Sequence, residues 1–422
     1  MKLYPHQAEG LKQTEGHTNC ALYWDMGLGK TFGGSEKMRE YGNRVNLVIC
    51  QKSKLNDWLE HLHQFDFQVF DGTNKHDLEL FMEHAYIEDV DAVCVINYEL
   101  AWRRPVLLDL RGFTLMLDES SLIQNRKAKM TKFILKLQPK NVILLSGTPT
   151  SGKYENLWTQ AHLLGWNISE DLYNRQYINW KIIEADGFFH KVVNMNNPYK
   201  NVDRLKKKFR DHGAVFMKTE EAFELPEQTF TTITVPTSKE YKKFIRGGYV
   251  QLEDGTELIG DMVFTKRMYA RQLCGQYCRA KLEAFKELLQ STNDRVIVFY
   301  NFTAELVELQ SICNLLERPF SMVNGSYKRL DEYENYDDSV TLIQYQAGAM
   351  GLNLQKANKM VFFTLPERSD LFEQSKARIH RIGQEKPCFY WIMLCKGSVE
   401  EKIYQTLQER KDFTDELFEE CV

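Results

Sequence analysis

The chain has 422 residues, of which 43% are hydrophobic and 27% are charged, and its formal net charge is −4. A chain of this size and composition buries sizeable cores, which excludes intrinsic disorder and a disulfide-dependent mini-fold. The slightly acidic balance also excludes a protein that binds nucleic acid by bulk positive charge, so any such contact requires a local basic face.

Nine cysteines are scattered along the chain without a Cys-x-x-Cys pair. Cys274 and Cys278 are close in sequence, but nothing near them completes a zinc ligand set. The start of the chain lacks the apolar segment of a secretory signal, and no apolar run reaches the roughly 20 residues that span a bilayer. We therefore expect a cytoplasmic protein with reduced thiols and no membrane contact.

Short apolar runs in the first part of the chain predict strands. The runs are rich in β-branched residues or leucine, and charged segments of helical character separate them. This pattern is typical of buried parallel strands that are joined by crossover helices. The predicted strands are Leu47–Cys50, Ala92–Ile96, Thr114–Leu117 and Val142–Leu145.

The same pattern returns later in the chain, so the sequence predicts an α/β fold with two lobes. The second set of strands is Arg295–Tyr300, Ser339–Tyr345, Lys359–Phe363 and Cys388–Leu394, with a helix over Thr303–Leu316. We place the first lobe at residues 1–235, with an insertion at about 165–215 and a strand at Thr229–Val235. The second lobe, residues 236–422, begins with a mostly helical segment at about 238–290 and ends with a packing helix over Ser398–Phe418.

The strongest local signal is the run Asp25–Thr31, which contains Gly27, Gly29 and Lys30. Glycines allow the backbone to turn tightly and to aim successive N–H groups at one anion. A helix that begins at Lys30 would add its positive end, with the lysine reaching the β- and γ-phosphates and the Thr31 hydroxyl ligating Mg²⁺. Position 24 lacks the glycine of the strict pattern, so an ordinary glycine turn stays open as the alternative.

A predicted buried strand ends in the acidic pair Asp118 and Glu119. The C-terminal edge of parallel strands is where α/β sheets bind ligands. Asp118 would hold Mg²⁺, directly or through water, and Glu119 would orient or deprotonate the attacking water. An acidic pair after a strand is by itself most often a solvated turn, but the phosphate loop earlier in the chain favours the functional interpretation.

Two further segments have both a functional and an ordinary interpretation. Ser146–Thr150 follows a strand and has two compatible interpretations, a strand-to-helix turn with a Ser or Thr cap and a switch that senses the γ-phosphate. Arg378 and Arg381 are three apart, so a helix would place them on one face, where guanidinium groups suit phosphate oxygens. An arginine that reaches the nucleotide would stabilise transition-state charge, whereas the ordinary alternative is a solvated helix face.

These residues together resemble the Swi/Snf-related group of superfamily 2 helicase-like ATPases, over about residues 3–405. The matching segments follow the motif order of the family, and the Arg-x-His-Arg-x-Gly-Gln run is specific to this group. They are Leu3–Gln7 (Q motif), Asp25–Thr31 (I), Val48–Trp58 (Ia), Val95–Leu100 (Ib), Asp118–Asn125 (II), Ser146–Thr150 (III), Arg295–Phe302 (IV), Ala347–Leu354 (V) and Arg378–Gln384 (VI).

The resemblance implies two RecA-like lobes, with ATP and Mg²⁺ in the cleft between them, that translocate as a monomer on duplex or branched DNA. The residues it assigns to the nucleotide are Gln7, Gly27, Gly29, Lys30, Thr31, Gly351, Arg378 and Arg381. Those it assigns to catalysis are Lys30, Asp118, Glu119, Arg378 and Arg381, and those it assigns to the metal are Thr31 and Asp118. The residues in motifs that face DNA are Lys52, Ser53, Asn97 and Tyr98, which we expect to contact phosphates.

The chain also departs from the family pattern. Ser120 and Ser121 stand where the acidic box usually has alanine and histidine, so we expect hydrolysis to survive while coupling through that histidine stays open. Residues 344–346 lack the usual Ser-Thr-Arg before motif V, which puts that DNA contact in doubt. Because the insertions are short, we expect a compact DNA motor of a prokaryote or of a virus-infected host cell.

The predicted insertion carries a further candidate DNA contact, formed by Lys206, Lys207 and Lys208 beside Phe209. A charge run of this kind is also typical of a solvated helix face. Three alternatives to a translocase stay open: a strand-separating DNA helicase in replication or recombination, an ATP-gated DNA-binding or loading factor, and an RNA helicase.

Overall fold

The computed structural model describes residues 3–85, 91–185, 187–348 and 352–418, which form two compact units. The first unit extends to Phe223, and the second runs from Glu224 to Arg410. Each unit is built on one seven-stranded sheet. Among the described residues, every helix is too short or too polar to span a bilayer.

The sheet of the first unit is entirely parallel. The strands of this unit are β1 (Asn19–Trp24), β2 (Val45–Cys50), β3 (Gln68–Asp71), β4 (Ala92–Asn97), β5 (Thr114–Asp118), β6 (Asn141–Leu145), β7 (Trp180–Ala185), β8 (Phe188–Val193) and β9 (Ala214–Met217). The sheet order is β3-β4-β2-β5-β6-β1-β9, and β7 and β8 form a separate antiparallel hairpin. The predicted α/β fold and its four strands in this unit are therefore confirmed, as β2, β4, β5 and β6.

Helices cover both faces of this sheet, and an apolar core lies on each face. The helices are α1 (Pro5–Lys12), α2 (Lys30–Tyr41), α3 (Leu55–Leu62), α4 (Lys75–His84), α5 (Tyr98–Ala101), α6 (Lys129–Ile134), α7 (Trp158–Leu163), α8 (Glu170–Tyr177), α9 (Val202–Asp211) and α10 (Thr219–Ala222). Short 3₁₀ turns lie at Lys52–Lys54, Pro105–Asp109, Ser120–Ile123 and Tyr154–Leu157.

The predicted insertion at 165–215 contains α8, the β7–β8 hairpin and α9. Trp180 and Val193, at the base of the hairpin, pack against the core of the first unit. The chain then enters β9, which pairs with β1 at the edge of the main sheet. The segment is thus an insertion between α7 and β9, both of which belong to the first unit.

The second unit has a sheet that is parallel except at one edge. Its strands are β10 (Gln228–Pro236), β11 (Tyr249–Gln251), β12 (Glu257–Ile259), β13 (Val296–Tyr300), β14 (Phe320–Val323), β15 (Lys328–Arg329), β16 (Val340–Gln344), β17 (Lys359–Phe362) and β18 (Cys388–Lys396). The sheet order is β10-β18-β17-β13-β16-β14-β15, with only the β14–β15 pair antiparallel, and β11 and β12 form a separate hairpin.

The boundary between the units lies between Phe223 and Glu224, close to the predicted position near 236 but before the last strand that we assigned to the first lobe. The strand that we assigned to the end of the first lobe is β10, and it pairs with β18 along its whole length. Backbone hydrogen bonds therefore fix β10 as an edge strand of the second sheet. The sequence marks this segment as a strand but not which sheet it joins.

Helices also pack on both faces of the second sheet. They are α11 (Lys239–Gly247), α12 (Val263–Cys274), α13 (Arg279–Gln290), α14 (Thr303–Leu315), α15 (Asp331–Asn335), α16 (Tyr345–Gly348), α17 (Ser369–Lys376) and α18 (Val399–Phe418). The buried ammonium of Lys281 on α13 donates to both carboxylate oxygens of Glu400 on α18 at 2.6 Å and to the carbonyls of Phe363 and Met393 at 3.2 Å. These contacts join α13 and α18 to β18 and to Phe363, the residue that follows β17.

Candidate nucleotide site

The glycine-rich loop between β1 and α2 has the geometry of an anion-binding turn. Gly27 and Gly29 have φ angles of 89° and 75°, in the left-handed region that side chains disfavour. Gly29 is the N-cap of α2, which begins at Lys30, as the sequence predicted. The N–H groups of the first turn and the positive end of the helix therefore lie directly after the loop.

Trp24, which stands in place of the expected glycine, fills a space that two other glycines leave open. A Cβ atom on Gly10 of α1 would lie 2.5 Å from the Trp24 ring, and one on Gly33 of α2 would lie 2.8 Å from it. The indole is completely buried. The departure at position 24 is thus accommodated by packing against α1 and α2, and the loop keeps its turn.

The side chain of Lys30 lies over the loop that precedes it. Its ammonium donates to the carbonyl oxygens of Trp24 at 2.8 Å and Asp25 at 3.0 Å. A Cβ atom on Gly147, after β6, would lie 3.4 Å from the same ammonium. The lysine therefore lies where the ends of β1 and β6 meet.

Gln7 supports the phosphate loop from α1. Its Oε1 accepts the backbone N–H of Tyr4 at 3.0 Å, and its Nε2 donates to the carbonyl of Leu28 at 3.2 Å and that of Gly29 at 3.5 Å. A Cβ atom on Gly29 would lie only 2.2 Å from the Gln7 amide nitrogen. The amide thus contacts the loop backbone, and the predicted recognition of adenine by Gln7 stays a prediction.

The acidic pair follows β5 at the same edge of the sheet. Asp118 Oδ2 accepts the indole N–H of Trp58 at 2.8 Å, and the Asp118 carbonyl accepts the hydroxyl of Tyr98 at 2.9 Å. Burial raises the pKa of the Asp118 carboxyl above its usual value, and the Trp58 N–H and the charge of Lys30 oppose that rise. Glu119 has a φ angle of 53°, so the acidic pair sits on strained backbone between β5 and the 3₁₀ turn.

Motifs II and III are joined by hydrogen bonds that do not need the missing histidine. The Ser146 hydroxyl donates to Glu119 Oε2 at 3.3 Å. Ser120 donates to Oε1 of Gln160 at 2.8 Å, and Nε2 of Gln160 donates to the Pro149 carbonyl at 2.7 Å. These hydrogen bonds use Ser120 and do not include Ser121. Sequence reasoning missed Gln160, because nothing in the local pattern of α7 distinguishes it from a surface residue.

The four residues predicted to contact DNA through motifs Ia and Ib fall into two groups. Lys52 and Ser53 are exposed at the start of the 3₁₀ turn after β2, and their contacts with DNA phosphates stay a prediction. Asn97 is buried and donates to Glu99 Oε2 at 2.7 Å. Tyr98 is completely buried, and its hydroxyl bonds to Asp118, so the prediction of a DNA contact through this side chain is wrong.

The three lysines of the predicted insertion differ in their exposure. It lies on α9, where Leu205 and Phe209 face the core. The side chain of Lys206 beside them is 4% exposed and lies 3.9 Å from Asp203, which contradicts its predicted role in DNA binding. Its position next to the apolar face of the helix explains the burial, because the aliphatic stem of a lysine covers apolar surface. Lys207 is exposed and Lys208 is half-buried.

Arg378 and Arg381 do not share a helix face, contrary to the prediction. Helix α17 ends at Lys376, and the arginines lie in the turns that follow. The amide of Gln384 ties this segment to an earlier loop, because its Nε2 donates to the carbonyls of Gln355, Ala357 and Ile379. Arg381 donates to the Leu352 carbonyl at 3.4 Å, and burial lowers the pKa of its guanidinium. Their contact with a nucleotide stays a prediction, and Gly351 lies outside the described residues.

Comparison with known families agrees with this geometry. The model of the SNF2-related domain matches residues 6–279, and that of the helicase conserved C-terminal domain matches residues 280–383. Because the first match covers more than half of the chain, the chain belongs to the SNF2-related family.

Two relatives differ in the share of their length that this chain covers. The ISWI chromatin-remodeling complex ATPase ISW1 of Saccharomyces cerevisiae is 24% identical over 97% of this chain, which spans 40% of that protein. A Bacillus subtilis protein named uncharacterized ATP-dependent helicase YqhH is 24% identical over 96% of this chain and 78% of its own length. The chain thus spans less than half of the yeast relative.

A solved structure, the Sulfolobus solfataricus SWI2/SNF2 ATPase core in complex with dsDNA, aligns with 98% of this chain and 92% of its own chain. The sequence identity is 20% and the TM-score is 0.46.

We predict that Gly29→Ala weakens ATP binding by roughly tenfold or more, because a Cβ there adds left-handed strain and a clash with Gln7. The measurement is titration with a fluorescent ATP analogue. Gly42→Ala is the matched control, since Gly42 follows the same helix with a φ of 62° and, apart from its chain neighbours, no heavy atom of the described residues lies within 4 Å of its Cβ position. Equal affinities for the two variants would contradict the assigned role of the loop.

Proposed function

We propose that this protein is an ATP hydrolase that DNA stimulates and that translocates on duplex or branched DNA. One observation carries the hydrolase assignment: a single sheet edge brings the phosphate-loop lysine Lys30, the acidic pair Asp118–Glu119 and Ser146 of motif III together. Membership of the SNF2-related family supports the same activity.

The residues at this edge fit ATP and Mg²⁺. Gly27 and Gly29 give the loop a left-handed turn, and the first turn of α2 presents backbone N–H groups beside the Lys30 ammonium. The Asp118 carboxylate and the Thr31 hydroxyl are hard oxygen donors of the kind that Mg²⁺ prefers. Mg²⁺ would neutralise charge on the phosphate oxygens.

The chain's own residues then have distinct roles in hydrolysis. Lys30 exchanges its hydrogen bonds to the loop carbonyls for contacts to the β- and γ-phosphates. Glu119 orients the attacking water and accepts its proton. Ser146, which donates to Glu119, links the position of that carboxylate to the strand end that carries motif III. Arg378 and Arg381 are the proposed source of further positive charge toward the triphosphate.

We propose that the protein moves along DNA because two exposed residues after β2, Lys52 and Ser53, match a motif that faces DNA in this family. Contacts to phosphates confer grip without sequence reading. The ATP-dependent helicase name of the Bacillus relative supports movement on nucleic acid. The name of the yeast relative refers to a chromatin-remodeling complex, which is a property of that longer protein.

We predict that Glu119→Gln lowers ATP turnover on duplex DNA by about 10²–10⁴-fold, because the amide cannot accept the proton of the attacking water. ATP affinity should stay within about twofold, since Lys30 and the loop are unchanged. Phosphate release and nucleotide titration measure the two quantities. Glu60→Gln, an exposed acid on α3, is the control.

Two outcomes would redirect the assignment. Undiminished turnover in Glu119→Gln would contradict the role of the acidic pair. Lost turnover with preserved cellular activity would favour the ATP-gated binding factor over the motor.

Strand separation is a second candidate activity, which the β7–β8 hairpin favours. Phe188 and Phe189 are 71% and 77% exposed, and as successive strand residues they point to opposite faces of the hairpin. Lys181 and Lys191 are exposed on the same hairpin. Apolar side chains that enter between base steps unstack them, and aromatic rings stack on unpaired bases.

The paired change Phe188→Ser and Phe189→Ser tests this candidate. If the hairpin separates strands, displacement of one strand of a forked duplex falls at least about tenfold, because base stacking on aromatic rings is lost. Release of a third strand from a triplex, which needs translocation alone, should not change. Phe264→Ser removes an equally exposed phenylalanine from the second unit and serves as control. Equal loss in both assays would contradict a separating role.

A further inference from the structure

Asp118 is held by two side chains that the motif match does not assign to hydrolysis. Trp58 lies in the segment that matches motif Ia, and Tyr98 lies in the segment that matches motif Ib. Both segments face DNA in the family that the chain resembles. In this structure both of these side chains instead point to the acid that is assigned to the metal.

The contact of Trp58 is a buried, directed hydrogen bond. Its side chain is 2% exposed, and its indole N–H donates to the Asp118 carboxylate at 2.8 Å. Hydrogen bonds to a charged acceptor are roughly twice as strong as neutral ones. Trp58 therefore sets the orientation of the carboxylate, which leaves its other oxygen lone pairs for a ligand.

Helix α3, which carries Trp58, follows the exposed turn without a break. The 3₁₀ turn covers Lys52–Lys54, and Lys54 is the N-cap of α3. Lys54 also pairs with Asp57, the residue before Trp58, at 2.8 Å. A displacement of the turn therefore moves the first turn of α3 and the indole with it.

The same helix also reaches the first turn of α2. Nε2 of His61 lies 3.1 Å from the Ser35 hydroxyl, and that hydroxyl donates to the Thr31 carbonyl at 2.9 Å. Helix α3 thus contacts both segments that carry the proposed oxygen donors for Mg²⁺. One rigid element connects the exposed turn to both.

Tyr98 fixes the backbone of the same acid from the other neighbouring loop. It is completely buried at the start of α5, directly after β4, and its hydroxyl donates to the Asp118 carbonyl at 2.9 Å. In the sheet, β2 lies between β4 and β5. The helices that follow β2 and β4 therefore each carry a side chain, Trp58 and Tyr98, that donates a hydrogen bond to Asp118, the last residue of β5.

We propose that Trp58 and Tyr98 are positioning residues that couple DNA bound at Lys52 and Ser53 to the nucleotide through Asp118. This inference rests on the proposed function, because it requires that the exposed turn binds DNA and that the phosphate loop binds ATP. DNA phosphates that hold the turn fix α3, and α3 fixes the carboxylate in the orientation that receives the metal-bound nucleotide.

Coupling of this kind is reciprocal. If DNA raises the affinity for the nucleotide by some factor, the nucleotide changes the affinity for DNA by the same factor. The coupling factor is therefore available from binding alone, without turnover. It is measured as the ratio of the duplex DNA dissociation constants without nucleotide and with Mg²⁺ and a non-hydrolysable ATP analogue.

The experiment compares this factor in the wild-type chain and in Trp58→Phe and Tyr98→Phe, with fluorescence anisotropy of a labelled duplex. Tyr98→Phe removes only the hydroxyl donor, whereas Trp58→Phe removes the indole N–H and also reduces the size of a buried side chain. We expect a wild-type factor of about fivefold or more and a factor within about twofold of one in each variant. Nucleotide titrations with and without DNA must return the same factors.

Two matched controls separate positioning from general stability. Trp158→Phe removes an indole N–H that donates to the Ile168 carbonyl at 2.9 Å, and Tyr173→Phe removes a buried hydroxyl that donates to the Tyr154 carbonyl at 2.7 Å. Both lie in the first unit and neither contacts Asp118. We expect both to keep the wild-type factor.

The outcomes distinguish this inference from the proposed function. A wild-type chain that neither hydrolyses ATP nor binds DNA refutes the function, and the inference with it. A wild-type chain with intact coupling whose Trp58→Phe and Tyr98→Phe variants keep the factor overturns the inference alone. Equal losses in the two controls would also overturn it, because the effect would then reflect packing. If Trp58→Phe does not fold, Tyr98→Phe decides.

Discussion

Partial burial of the Asp118 carboxylate at the end of β5 is the constraint on which the rest of the site depends. A carboxylate that is withdrawn from water requires hydrogen-bond donors or a cation, because burial disfavours its charged form. Trp58 supplies the donor, and Lys30 supplies positive charge nearby. Tyr98 fixes the backbone of the same residue. Side chains at the starts of three helices, α2 after β1, α3 after β2 and α5 after β4, thus converge on one acid at the end of β5.

The sequence predicts the strands well where a buried apolar run has clear ends, as in β2, β4, β5 and β6. It does not predict which sheet receives an isolated strand, because β10 joins its sheet through β18, which lies far along the chain. The fold class and the phosphate loop therefore follow from local pattern. The assignment of β10 follows only from long-range pairing.

The candidate site shows the same division between local pattern and distant contacts. Motif order locates the loop at Lys30 and the acid at Asp118, but it does not report the direction of a side chain. The sequence predicts Tyr98 on DNA, whereas its hydroxyl is buried on the acid. The arginines of motif VI lie in turns, and the Gln384 amide beside them bonds to the carbonyls of Gln355 and Ala357, almost 30 residues earlier in the chain. Compensation for a departure is equally remote in sequence, since Gln160 completes the path that starts at Ser120.

The most direct test of the central claim is ATP turnover by the wild-type chain with duplex DNA, single-stranded DNA, RNA or no polynucleotide, each repeated with Lys30→Ala. The account predicts turnover that duplex DNA stimulates at least about tenfold and that Lys30→Ala abolishes, because the lysine contacts the phosphates. Stimulation by RNA alone would contradict the proposal that the protein moves on DNA. Absence of turnover on every polynucleotide, or turnover that survives the loss of Lys30, would contradict the site itself.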